Sequence, residues 1–211
     1  MSTLSATTAP HLYRDIARIA LTRRQLQRRV RQLAKQIAAD TTSGELSILA
    51  VMTGSFIFLA DLVRNLPMKM RMDVISVCSY PGKAMRSLGV KDAIELPTSL
   101  AGKDLLIVDD ILDSGQTLGG LIAAARLRRP SRLRTCVLLR KDRPDLPGRL
   151  GVDYVGFDVQ DEFVVGYGLD YDHFYRNLPE IGVLRPQDPK ALPQKVLRST
   201  PAAGRRVKEA P

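Results

Sequence analysis

A chain of 211 residues, 45% of them apolar, is long enough to bury one substantial core and short enough to be a single catalytic domain. Its net charge of +10 does not by itself mark a nucleic-acid binder: residues 1–39 hold eight Arg or Lys against Asp15 alone, 185–211 hold seven against Asp188 and Glu209, and 40–184 is left mildly acidic. Cys78 and Cys136 lie in apolar stretches with no Cys-x-x-Cys or nearby histidine, which argues for two buried thiols rather than zinc; no apolar run nears membrane-spanning length and no leader is recognisable, so the expected compartment is the cytoplasm.

Residues 1–12 are small and polar around Pro10, the composition of a disordered start, and the domain is expected to run from 13 to 184. His11 reads as a surface residue. Ile16 to Leu21 predicts a short strand, and Thr22 with Gln25 makes a capping box at the head of a helix. Leu26, Val30, Leu33 and Ile37 share one face of that helix. Arg23, Arg24, Arg28, Arg29 and Arg31 line the remainder, either as a solvated face or as a contact for another subunit or an acidic partner. Ser47 to Met52 predicts a buried strand, Thr53-Gly54-Ser55 a turn, and Phe56 to Leu66 an apolar helix. Met70 to Tyr80 alternates as a strand does. The fifteen residues from Pro81 to Glu95 show no period, and a loop of that length is usually functional or disordered.

Leu105 to Val108 is a leucine and β-branched run, the pattern of a strand buried on both faces in a parallel sheet, and Asp109 and Asp110 mark its carboxyl end. Asp113-Ser114-Gly115-Gln116-Thr117 then supplies a turn and a helix start, continued by Gly119 to Ala125. The first turn of a helix leaves N–H groups unpaired and carries partial positive charge, so a phosphate can sit there without a lysine. Gly115 allows close approach, and Ser114 and Thr117 add hydroxyls. The three acids repel a phosphate; they suit hydroxyls, a divalent cation or a proton to be moved. A lone Asp-x-Ser-Gly is also what an ordinary capped turn looks like, but the whole run suits a phosphorylated sugar with free hydroxyls and bound magnesium.

Leu133 to Leu139 predicts the next strand, ending on the charged loop Arg140-Lys141-Asp142-Arg143-Pro144. Tyr154 to Phe157 is another. Asp161-Glu162-Phe163-Val164-Val165-Gly166-Tyr167-Gly168-Leu169-Asp170-Tyr171 holds a short apolar strand and a glycine turn, and Ile181 to Leu184 closes the domain. Residues 185–211, basic and rich in Pro, read as a disordered tail.

The run from Leu105 to Thr117 resembles the 5-phosphoribosyl-1-diphosphate (PRPP) signature of type I phosphoribosyltransferases, and Asp161 to Tyr171 resembles the purine-recognition segment of the 6-oxopurine members. The resemblance implies an α/β fold, a central, mostly parallel sheet flanked by helices, with a small hood built from terminal segments and the 153–184 region. It implies transfer of the phosphoribosyl group from PRPP to a 6-oxopurine, with Mg2+ as cofactor and a homodimer or homotetramer as the assembly. Asp109 and Asp110 would bind the ribose hydroxyls, Asp113 would act as general base, and Ser114, Gly115, Gln116 and Thr117 would cradle the 5-phosphate. Thr53, standing where the family usually has Lys or Arg, and Gly54 would contact the diphosphate by their backbone, together with Arg176. Lys141 would donate to the purine 6-oxo oxygen, with Arg140 as its rival; Phe163 would stack on the base and Val164 read its edge. Asp170 would bind the metal, helped indirectly by Asp109 and Asp110. Ser79 and Tyr80 would open the mobile loop that closes over the reacting centre. His173 has no role by resemblance. A xanthine-preferring transferase, a PRPP-binding regulator without catalysis, and a nucleic-acid or acidic-partner contact at the basic ends are the alternatives.

Overall fold

A computed structural model describes residues 12–42, 44–76, 96, 99–143 and 150–185. His11, Cys78, Ser79, Tyr80, the 81–95 loop and, apart from Leu12 and Arg185, the expected disordered ends lie outside the described residues.

The elements follow in the order β1 (Ile16–Leu21), α1 (Arg23–Asp40), β2 (Glu45–Met52), α2 (Phe56–Val63), β3 (Lys69–Ser76), β4 (Asp104–Leu112), α3 (Gln116–Leu127), β5 (Arg132–Lys141), β6 (Tyr154–Val159), β7 (Val164–Val165) and β8 (Ile181–Leu184). Five strands form one sheet in the order β3-β2-β4-β5-β6, every neighbouring pair parallel. A second sheet, β1-β8-β7, is antiparallel. This is the expected α/β fold with its hood, with one adjustment. Tyr154–Val159 pairs with β5 in the large sheet, so the hood is built from β1 and residues after 160.

The parallel sheet is apolar on both faces, as strands covered by helices must be. On one side Leu26, Val30, Leu33 and Ile37 of α1 pack with Phe58 and Leu62 of α2 against Ile48, Leu106 and Leu138. On the other, Leu118, Leu121 and Ala125 of α3 pack on Leu49, Leu105, Ile107 and Val137. Thr22 and Gln25 do form the capping box of α1. Arg29 of its basic face is partly buried, donating to the carbonyl oxygens of Val155 and Gly156; that side chain braces β6 rather than facing solvent. Cys136 is fully buried, and burial pushes its thiol well up, out of the reactive range.

Several boundaries differ from expectation, and three have a plain physical cause. α2 stops at Val63 instead of Leu66, because Asn65 and Leu66 close tighter turns onto Leu62 and Val63 and Leu66 precedes Pro67, which disfavours the helical conformation. β4 continues past Asp109 and Asp110 to Leu112, and β5 runs on through Arg140 and Lys141. The cause is mutual: Ile111 faces Leu139 and Leu112 faces Arg140, so each strand supplies the other's backbone partners.

The hood is fastened to itself across the length of the chain. Tyr13 donates to Glu180 at 2.7 Å, Tyr175 to Asp15 at 2.6 Å, and Arg18 pairs with Glu162. Each carboxylate discourages loss of the phenol proton, pushing Tyr13 and Tyr175 up to about 12. Tyr167, donating to Asp61 at 2.5 Å, ties the hood to α2. No helix among the described residues is long and apolar enough to cross a membrane.

Candidate active site

Two groups of predicted residues come together at the carboxyl edge of the parallel sheet. In the first, three loops nest. A Cβ on Gly54 would lie 1.6 Å from Asp110 Oδ2, and a Cβ on Gly168 would lie 2.2 Å from the Gly54 carbonyl oxygen. Any side chain at either position would therefore hold the loops apart. The Met52–Thr53 peptide is cis, and Thr53 is exposed. Arg176 donates to the Gly168 carbonyl at 2.7 Å and pairs with Asp170 at 2.9 Å; Asp170 Oδ2 also accepts the His173 N–H at 2.9 Å. So Gly54, Asp110, Asp170 and Arg176 form one cluster. Tyr167, Asp172, His173 and Tyr175 adopt positive φ within this segment, a density of unfavourable backbone that is common at functional sites.

Asp109 is 6% exposed. Burial, and then the charge of Asp110 beside it, push its carboxyl well above the usual range. Burial pushes Asp110 up too, against the opposing pull of its hydrogen bonds and the Arg176 guanidinium. Asp109 Oδ1 accepts the Asp110 N–H at 2.9 Å and Asp110 Oδ1 accepts the Ile111 N–H at 2.8 Å. The adjacent acids are thus held firmly at a place that disfavours two negative charges, and hydroxyl donors or a cation would relieve them.

α3 begins on Gly115 at φ 75°, and its cap supplies no side-chain acceptor; Gln116 N–H lies 3.4 Å from Ser114 Oγ. Ser114 and Gln116 are exposed and Thr117 half-buried, an arrangement open to an anion.

The second group was only partly foreseen. Asp113, on the turn after β4, accepts a hydrogen bond from Arg143 Nη1 at 2.8 Å. Arg143 Nε lies 3.4 Å from Asp161 Oδ2, and Lys141 Nζ is 3.0 Å from Asp161 Oδ1. Arg140, its rival, instead makes a forked pair with Asp158 at 2.6 and 3.1 Å. Sequence reasoning gave Arg143 and Asp161 no role. The run of charges at 140–143 and the acid opening the 161–171 segment were visible, but their pairing joins residues 18 to 30 apart and has no local pattern. Val164 is buried in β7, paired with Val183. Phe163 packs edge-on to Tyr171 at 5.5 Å and 88° beside the hood core.

A cleft of about 660 Å3 opens at the opposite, amino edge, lined by Lys69, Arg71, Lys103 and neighbours; it includes none of the groups above.

The fold and these nested loops define a class. The chain belongs to the phosphoribosyl transferase domain family, whose pattern it matches over residues 20–172. More particularly, it is 41% identical over 180 residues to the hypoxanthine-guanine phosphoribosyltransferase of Mycobacterium avium, covering 82% of this chain and 88% of that one. It is 38% identical over 175 residues to the protein of that name from Bacillus subtilis, covering 82% and 95%. Among solved structures, a hypoxanthine phosphoribosyltransferase from Staphylococcus aureus matches with a TM-score of 0.76 at 33% identity, over 85% of this chain and 97% of that one.

Proposed function

We propose that the chain is a cytoplasmic purine-salvage enzyme transferring the 5-phosphoribosyl group of PRPP to hypoxanthine and guanine, with release of diphosphate. The observation that carries this reading is the nesting of Gly54, Asp110 and Gly168, which gathers the loops assigned to diphosphate, ribose and purine at one edge. The relatives' names supply the acceptor class, and a homodimer or homotetramer is the assembly proposed with it.

Ser114 to Thr117 hold the 5-phosphate at the head of α3, and Asp109 and Asp110 accept from the two ribose hydroxyls. As the diphosphate leaves, positive charge builds on the ribose ring, and the buried carboxylates lie where a negative field favours it. The backbone of Thr53 and Gly54 and the guanidinium of Arg176 hold the leaving group. Phe163 and Val164 seat the base, Lys141 donates to its 6-oxo oxygen, and Asp113 takes the N7 proton. Among the described residues no three acids, cysteines or histidines form a metal cage. That fits magnesium, which commonly binds through one or two carboxylates and substrate phosphates with water completing its shell. Asp170 would hold it, since each of its oxygens keeps a second lone pair beyond Arg176 and His173, with Asp109 and Asp110 assisting indirectly. When bound there, magnesium would supply charge neutralisation for the departing diphosphate.

Steady-state nucleotide formation from Mg-PRPP with hypoxanthine, guanine, xanthine, adenine and uracil tests the reading. Product from hypoxanthine and guanine, and none from adenine or uracil, is expected; PRPP binding without product from any base would point to a regulator. Asp113→Asn should lower kcat roughly 10²–10⁴-fold with PRPP affinity nearly intact, and a parallel loss of both would remove Asp113 from the role of base. Lys141→Ala should raise KM for hypoxanthine on the order of tenfold, whereas Arg140→Ala should not.

A further inference from the structure

We propose that Arg143 is a positioning residue, clamping the Asp113 carboxylate and, through Asp161, setting it beside Lys141 so that one edge of the purine meets a pre-aligned acceptor and donor. This rests on the assignment above of Asp113 as base and Lys141 as 6-oxo donor.

Asp113 sits on a turn with its side chain 49% exposed, where a short carboxylate samples several rotamers. Arg143, 20% exposed and reaching in from the end of β5, engages Oδ1 of Asp113, which leaves Oδ2 available to take a proton. Its Nε turns toward one oxygen of Asp161, whose other oxygen holds Lys141. The charges alternate along this chain, carboxylate, guanidinium, carboxylate, ammonium, so each inner group is stabilised by both neighbours. Its two ends are a proton acceptor and a proton donor. On a 6-oxopurine, N7 and the 6-oxo oxygen are neighbours on one edge and require that pairing. Fixing both ends before the acceptor arrives removes part of the ordering cost from the binding and chemical steps.

Hypoxanthine and Mg-PRPP are varied separately for wild type, Arg143→Ala, Arg143→Lys and Asp161→Asn, with and without added guanidinium ion. Arg143→Ala should lose roughly tenfold to a hundredfold in kcat/KM for hypoxanthine while KM for PRPP stays within about twofold. Arg143→Lys should keep part of the activity, and guanidinium should restore part of it to Arg143→Ala and none to wild type. An unchanged or increased kcat/KM in Arg143→Ala, or an equal loss toward PRPP, overturns the proposal. Should Arg143→Ala fail to fold, Arg143→Lys and Asp161→Asn decide the matter by the same split between the two substrates. Wild-type protein that forms no nucleotide from any base overturns the transferase reading and this proposal together; active wild type with an indifferent Arg143→Ala overturns this proposal alone.

Discussion

Strand β4 begins on one buried acid, Asp104, and carries another, Asp109, toward its carboxyl end, and the two are treated in opposite ways. At the amino edge Asp104 receives two hydrogen bonds of 2.8 Å from Arg134, which also reaches Tyr154 at 3.0 Å and Thr41 at 2.9 Å, while Tyr154 donates to Asp40 at 2.7 Å. That acid is neutralised and ties the end of α1 to the sheet. Five residues along, Asp109 has another acid for its neighbour and is pushed toward keeping a proton. One strand therefore carries a carboxylate whose partner is built in and a pair pushed up by burial, eased at Asp110 by its hydrogen bonds and the Arg176 guanidinium. The first holds the fold together, and the second is a cost that, under the function proposed above, bound ribose hydroxyls would remove.

The largest effect should come from breaking the completed end. Asp104→Ala leaves the Arg134 guanidinium buried against an incomplete partner set, a loss of about 3–5 kcal/mol, seen as a melting temperature lower by roughly 10 °C. Removing charge from the incomplete end should do the reverse. Asp109→Asn is expected to stabilise the empty protein by about 1 kcal/mol, a rise of roughly 2–4 °C, while weakening PRPP binding measured by calorimetry; a fall in both would show that Asp109 is a structural acid like Asp104. The sign with pH follows from the direction of the shift. A carboxyl raised by the fold adds stability that is fully present below its unfolded pKa and is lost as pH rises through its folded pKa. The advantage of Asp109→Asn over wild type should therefore be largest at neutral pH and shrink through the acid range, in melts from pH 7.5 down to 4. Smallest of all, Arg140→Ala at the outer face of the same edge should change stability by less than about 1 kcal/mol, because its pair with Asp158 is solvated.

Much of the fold was legible because its signals are local. The capping box at Thr22, the apolar face of α1 and the doubly buried run at Leu105–Val108 each depend on residues a few positions apart. The ends of β4 and β5 were not legible, since Leu112 and Lys141 are strand residues through pairing with another strand. Of the site, the residues within one motif could be named by resemblance. The link from Asp113 to Lys141 through Arg143 and Asp161 could not, because it depends on how three loops converge. Arg29 was misread for a related reason: a run of arginines looks alike in sequence, and only the position of β6 selects the one that turns inward.

The first strand of the domain cannot find its place until the last has been made. Among the described residues β1 pairs only with β8, about 165 residues later, and Tyr13 and Asp15 wait for Glu180 and Tyr175. During synthesis from the amino end, β2 to β6 can assemble as each strand emerges next to an earlier neighbour, whereas β1 stays without a partner. Contacts this distant in sequence form late. The hood, which carries Asp170 and Arg176, is consequently the final piece to settle, and a ribosome-bound chain lacking β8 would already have Gly54, the acid pair and the head of α3 in place while the segment bearing Asp170 and Arg176 lacked the strand that anchors it.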